Sequence, residues 1–154
     1  MNLTIINEVP ALPVTQQISG TCWAFSTTSF LESEIYRIKG RFIDLSAMYF
    51  VYNVYLQKAQ NYILRQGAAR FTEGGCNYDP LVNIDSLGLL PHEAYSGLVQ
   101  DDEHDHGKLI GELLARVKEF ADPANKLGSA WKTEEDDTSS SVIHAELEGT
   151  GPVA

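Results

Sequence analysis

The sequence predicts a mainly α fold built as one domain, and three observations carry that expectation. Apolar residues recur at helical spacing behind Cys22, behind Ser46 and behind Gly107. Serine, proline and glycine stand where helix ends call for them. Strand signals are scarce, with one short strand expected at Leu3 to Asn7. At 154 residues and 44% hydrophobic, the chain can bury roughly two-thirds of its unfolded surface, enough for one core.

Composition narrows the partners. The net charge is −10 and no Lys/Arg-rich run is present, so neither nucleic acid nor an anionic membrane is an expected partner. No stretch of about 18 apolar residues is available for a membrane span, and Leu3 to Ile6 is too short for a signal peptide. A soluble protein is expected, cytoplasmic or periplasmic in a bacterium. Two cysteines, Cys22 and Cys76, cannot form a disulfide framework in a chain this long.

Residues 1–21 contain Pro10 and Pro13 without helical period and read as an extended arm. The first helix is expected to open at Cys22, bury Ala24, Thr28, Leu31, Ile35 and Ile38 on one face, and stop at Gly40. Ser46 is the expected N-cap of a second helix that ends near Gly67. Its stripe of Met48, Tyr52, Tyr55, Ala59 and Tyr62 reads as core with polar tips at the edge. Paired glycines, Gly74 and Gly75, permit either positive φ or close approach of another group. Asp79 is expected to cap a short helix with Pro80 at its first position and Gly88 past its end.

A fourth helix is expected over Gly107 to Ala121, with Leu109, Leu113, Val117 and Phe120 on one face and Pro123 closing it. Before it, His104, Asp105 and His106 carry metal-ligand chemistry. Alternating residues on a loop seldom converge on one ion, so a solvated acidic loop with Asp105 as helix cap is the expectation. The helical domain spans residues 1–124. Residues 125–154 read as an acidic, Ser-rich linker with a last short helix at Val142 to Leu147.

The chemistry centres on Gln16 to Ser26, where a turn-rich segment delivers Cys22 onto the first turn of a helix. Gly20, with small neighbours Ser19 and Thr21, permits the tight path that turns a thiol to a cleft. A helix N-terminus favours the thiolate by only about 0.3–1 kcal/mol, so full activation requires an imidazole as ion-pair partner. A nucleophilic Cys22 therefore also predicts a histidine. Cys76 reads as a buried or partly buried free thiol beside the glycine turn.

Gln16, Ser19-Gly20-Thr21-Cys22-Trp23-Ala24-Phe25-Ser26 and Glu32 together resemble the active-site segment of papain-like cysteine peptidases. Ser19 stands where the secreted branch has a second cysteine, and Thr21 replaces the usual Ser or Ala; the pattern is similar to the bleomycin hydrolase and aminopeptidase C branch. Asp44-Leu45-Ser46, Glu73-Gly74-Gly75 with Tyr78-Asp79, and Gly88-Leu89-Leu90-Pro91 extend the likeness, which covers about residues 5–95. The resemblance implies that Cys22 is the nucleophile, and that Gln16 and the Cys22 N–H form an oxyanion hole. It also implies that Gly74 and Gly75 pair with a bound peptide. Trp23 reads as core or cleft wall at that substrate-binding edge, and Glu32 as a structural hydrogen-bonding residue. Peptide substrate and a homo-oligomer are the implied partners, and no cofactor is implied.

The family places its histidine about 130–150 residues after the cysteine, in a second, β-rich domain that this sequence does not build. His144 lies 122 residues after Cys22, but Glu146 and Glu148 spoil the apolar strand that should carry the base. The expectation is an incomplete N-terminal portion, inactive until a missing C-terminal segment or a partner chain supplies imidazole. The alternative is a peptide-binding module of the same fold without chemistry.

Overall fold

The computed structural model describes residue 4, residues 8–13, 17–98 and 103–127, the last six of these as backbone. The described residues are mainly helical: α1 (Cys22–Lys39), α2 (Ala47–Leu64), α3 (Tyr78–Leu87) and α4 (Gly107–Leu127). Gln16, the strand expected at Leu3 to Asn7, the Val142 to Leu147 helix and His144 lie outside the described residues.

α2 is the central element and packs against each of the other three helices. That position explains its composition. Of the expected stripe it buries Met48, Tyr55, Ala59 and Tyr62 and leaves Tyr52 half-buried; it also buries Phe50, Val51, Val54 and Leu56, so apolar residues circle most of the helix. A helix that is apolar nearly all round belongs in a core, whereas one stripe suffices at a surface. Trp23 and Ala24 of α1, and Leu113, Val117 and Ala121 of α4, close the same cluster.

Helix ends follow the residues. Ser46 Oγ accepts from the Tyr49 N–H at 3.0 Å, as an N-cap should. Gly40 takes φ 69°, and its N–H returns to the Tyr36 carbonyl at 2.8 Å. α2 stops at Leu64, three residues before Gly67. Gln66 and Gly67 are both left-handed, and the Gly67 N–H reaches the Tyr62 carbonyl at 2.9 Å. α3 begins ahead of Asp79, whose Oδ2 accepts from the Cys76 N–H at 2.8 Å and steadies the approach to the helix. α4 continues through Pro123 to Leu127; a proline withholds one donor, and the surrounding turns keep theirs.

The helical period of α1 misplaces its second half. Ala24 and Thr28 are buried and Leu31 and Ile35 half-buried, but Ile38 is 62% exposed and Phe30 59%. The buried side is instead Trp23, Ala24, Thr27, Thr28, Glu32 and Ser33. The fully buried residues of α1 end at Ser33; in its last turns Tyr36 stacks on Phe42 at 4.3 Å, and Ile38 stays exposed.

Two segments distant in sequence tie the scaffold together. The Ser46 N–H donates to the Leu90 carbonyl at 2.8 Å, and the His92 N–H donates to the Asp44 carbonyl at 2.9 Å. These bonds form an antiparallel bridge between Leu45 and Pro91. Glu32, buried in α1, accepts from the Leu45 N–H through Oε1 at 2.8 Å, the structural bond expected of it. Burial holds its carboxyl above the usual range, an effect opposed by the Leu45 N–H.

Candidate functional site

Cys22 is the first residue of α1 and is exposed. Thr21 precedes it as N-cap but makes no side-chain capping bond. Its hydroxyl donates to Gln17 Oε1 at 3.0 Å and lies 2.5 Å from Ser19 Oγ. This small polar knot fixes the turn, and the helix opens with no acidic side chain in its first turn. Among the described residues no acceptor meets the Cys22 N–H. An uncapped helix start beside a thiol is suited to hold developing negative charge.

The glycine pair runs along the same border. The Trp23 indole N–H donates to the Glu73 carbonyl at 3.0 Å, and the Gly20 N–H donates to Glu73 Oε2. Residues on both sides of Cys22 are thereby fastened to the segment 72–76. Gly75 is required by close approach, since a Cβ there would lie 2.7 Å from the Trp23 ring and 3.0 Å from Asp79 Oδ2. Gly74 meets nothing within 4 Å, and both glycines are exposed. Trp23 itself is buried in the core beneath them.

Cys76 is exposed as well, which corrects the expectation of a buried thiol. Its backbone, held by Asp79, carries it outward at the end of the glycine edge.

The histidine segment also departs from expectation. His104 is 4% exposed and His106 8%, so this is no solvated loop. The segment is drawn in because His106 Nδ1 pairs with the Tyr55 hydroxyl at 3.1 Å and His104 packs on the Phe25 ring at 5.6 Å. The Ile18 N–H donates to the His104 carbonyl at 3.1 Å, so the strap also holds the arm that leads to Cys22. Burial pushes His104 down to about 4, with His106 and His92 adding to the effect. His106 is lowered by burial too, against the pull of Glu73 and Asp105. Both are neutral structural imidazoles at neutral pH. Asp105 Oδ1 accepts from the Gly107 N–H at 3.0 Å, the helix-start contact expected of it.

No family model and no curated protein matches this chain. The arrangement of its own residues therefore bears the functional reading. The structure brings Cys22, Trp23, Gly74 and Gly75 to one border, and Gln16 lies outside the described residues. No described imidazole is hydrogen-bonded to the Cys22 thiol. Among the described residues no group of three or more His, Cys, Asp or Glu side chains converges to hold a metal ion. No helix among them is long and apolar enough to cross a membrane.

Sequence reasoning missed Lys58. Its ammonium donates to the Thr72 carbonyl at 2.9 Å and to the Gly74 carbonyl. It also lies 5.8 Å from the centroid of the Trp23 ring and 5.6 Å from that of Tyr55. Burial lowers its pKa, opposed first by Asp79 and then by Cys76. The one signal available was a lysine set within the tyrosine stripe of α2.

Proposed function

We propose that this chain is the N-terminal, helical portion of a papain-like cysteine peptidase, with Cys22 as nucleophile. The observation that supports it best is an exposed thiol at an uncapped helix start, fastened on both sides to an open glycine edge. The thiolate attacks a peptide carbonyl carbon, and the resulting oxyanion accepts hydrogen bonds from the Cys22 N–H and the Gln16 side-chain amide. Each such donor contributes roughly 3–4 kcal/mol. Collapse expels the amine and leaves a thioester, which water hydrolyses to the acid and the free thiol. The base is assigned to an imidazole outside the described residues, from a further segment or another chain, because His104 and His106 are committed to the core and neither they nor His92 is hydrogen-bonded to the Cys22 thiol.

A peptidyl epoxide, applied with the imidazole-bearing segment or partner present and followed by mapping of the adduct, tests the reading. Attachment at Cys22, faster relative to iodoacetamide than attachment at Cys76, is the expected result; attachment at Cys76 alone overturns it. A second reading is peptide docking without chemistry, supported by the exposed edge of Gly74 and Gly75. Peptide binding retained by Cys22→Ala, with no turnover once imidazole is supplied, is the result that selects it.

A further inference from the structure

We infer that Lys58 is the positioning residue that sets the glycine edge beside Cys22, so that delivery of a peptide to the thiol depends on its ammonium. The inference rests on the peptidase reading for its substrate class and on the geometry for its mechanism.

The segment 72–76 has no regular secondary structure, so its shape comes from groups outside it. Three of its carbonyls have side-chain donors: Thr72 and Gly74 share the Lys58 ammonium, and Glu73 takes the Trp23 indole. One cation therefore gathers two carbonyls two residues apart, which bends the chain around it. The Gly75 N–H and carbonyl have no acceptor or donor among the described residues. They are the main-chain groups free to pair with an extended peptide. Lys58 sits on α2, the best-buried helix, and its ammonium lies 5.8 and 5.6 Å from the Trp23 and Tyr55 ring centroids. The clamp thus refers the edge to the rigid core. A lysine suits this place because an ammonium offers three donors around a compact charge, whereas a guanidinium fork would spread them in a plane.

The test compares the parent with Lys58→Met, which keeps the stem and loses the charge, both with the imidazole-bearing segment or partner present. Two readouts are taken: amide hydrogen exchange at Gly20 and Cys76, whose N–H groups donate to Glu73 Oε2 and Asp79 Oδ2, and the ratio of peptidyl-epoxide to iodoacetamide labelling at Cys22. Faster exchange together with a ratio lowered by about tenfold, the loss of one or two hydrogen bonds, is expected. Lys58→Gln, which retains one donor group, is expected to fall between and replaces Lys58→Met should that variant lose its helical circular dichroism. Unchanged exchange, or a ratio within about twofold of the parent, overturns the role of Lys58 and leaves the peptidase reading standing. A parent chain whose Cys22 shows no preference for the peptidyl probe overturns the peptidase reading and this inference with it.

Discussion

Acidification is expected to weaken the fold through His104, and the size of the effect follows from its burial. The imidazole is 4% exposed, its Nδ1 has no hydrogen-bond partner among the described residues, and its pKa falls from 6.5 to about 4. The folded state thus binds this proton less readily than the unfolded chain does. The stability linked to His104 is present above pH 6.5 and is lost as pH falls towards about 4. At about 1.4 kcal/mol per unit, the full loss is about 3 kcal/mol, a large share of the 5–15 kcal/mol typical of a domain. Glu32 acts in the opposite sense, because burial raises its pKa and protonation relieves a cost. A single protein therefore mixes both effects. The comparison with His104→Leu isolates the histidine, since the His104 carbonyl that accepts from Ile18 is kept. Urea unfolding at about pH 7.5 and about pH 4.5 should show the parent losing about 2–3 kcal/mol more than the variant. Equal losses in the two proteins would refute the assignment of the acid sensitivity to His104.

Other substitutions probe the scaffold around Cys22. Gly75→Ala drives a methyl into the Trp23 ring and should cost about 1–3 kcal/mol by urea unfolding, whereas Gly74→Ala, facing open space, should be close to neutral. Tyr55→Phe removes the hydroxyl bonded to His106 Nδ1 and should destabilise by about 1–3 kcal/mol, the cost of an unpaired buried polar group; a thermal midpoint unchanged from the parent would count against that bond. Ser46→Ala should cost about 1 kcal/mol through loss of the α2 cap, with Ser46→Asp retaining most of the stability.

Much of the helical frame was legible because it depends on local chemistry. Gly40 and Ser46 mark helix ends through φ and through a hydroxyl acceptor, properties that each residue carries wherever it stands. The α4 face of Leu113 and Val117 follows from the 3.6-residue period alone. Period gives the direction of a face but not how far along it a neighbour extends, which is why Ile38 reads as core and stands exposed. Pro123 reads as a stop for the same reason: propensity is local, and α4 continues past it.

The sequence by itself determined a helical chain with a thiol on the first turn of its first long helix. Only the tertiary structure decided what surrounds that thiol. It buried His104 and His106, turned Cys76 outward, and brought Lys58 of α2 to the carbonyls of Thr72 and Gly74. Caps and periods act between residues a few positions apart, whereas the contacts that hold Lys58, His106 and His104 join residues 14 to 86 positions apart. Their formation depends on which helix faces come together, and no local pattern encodes that.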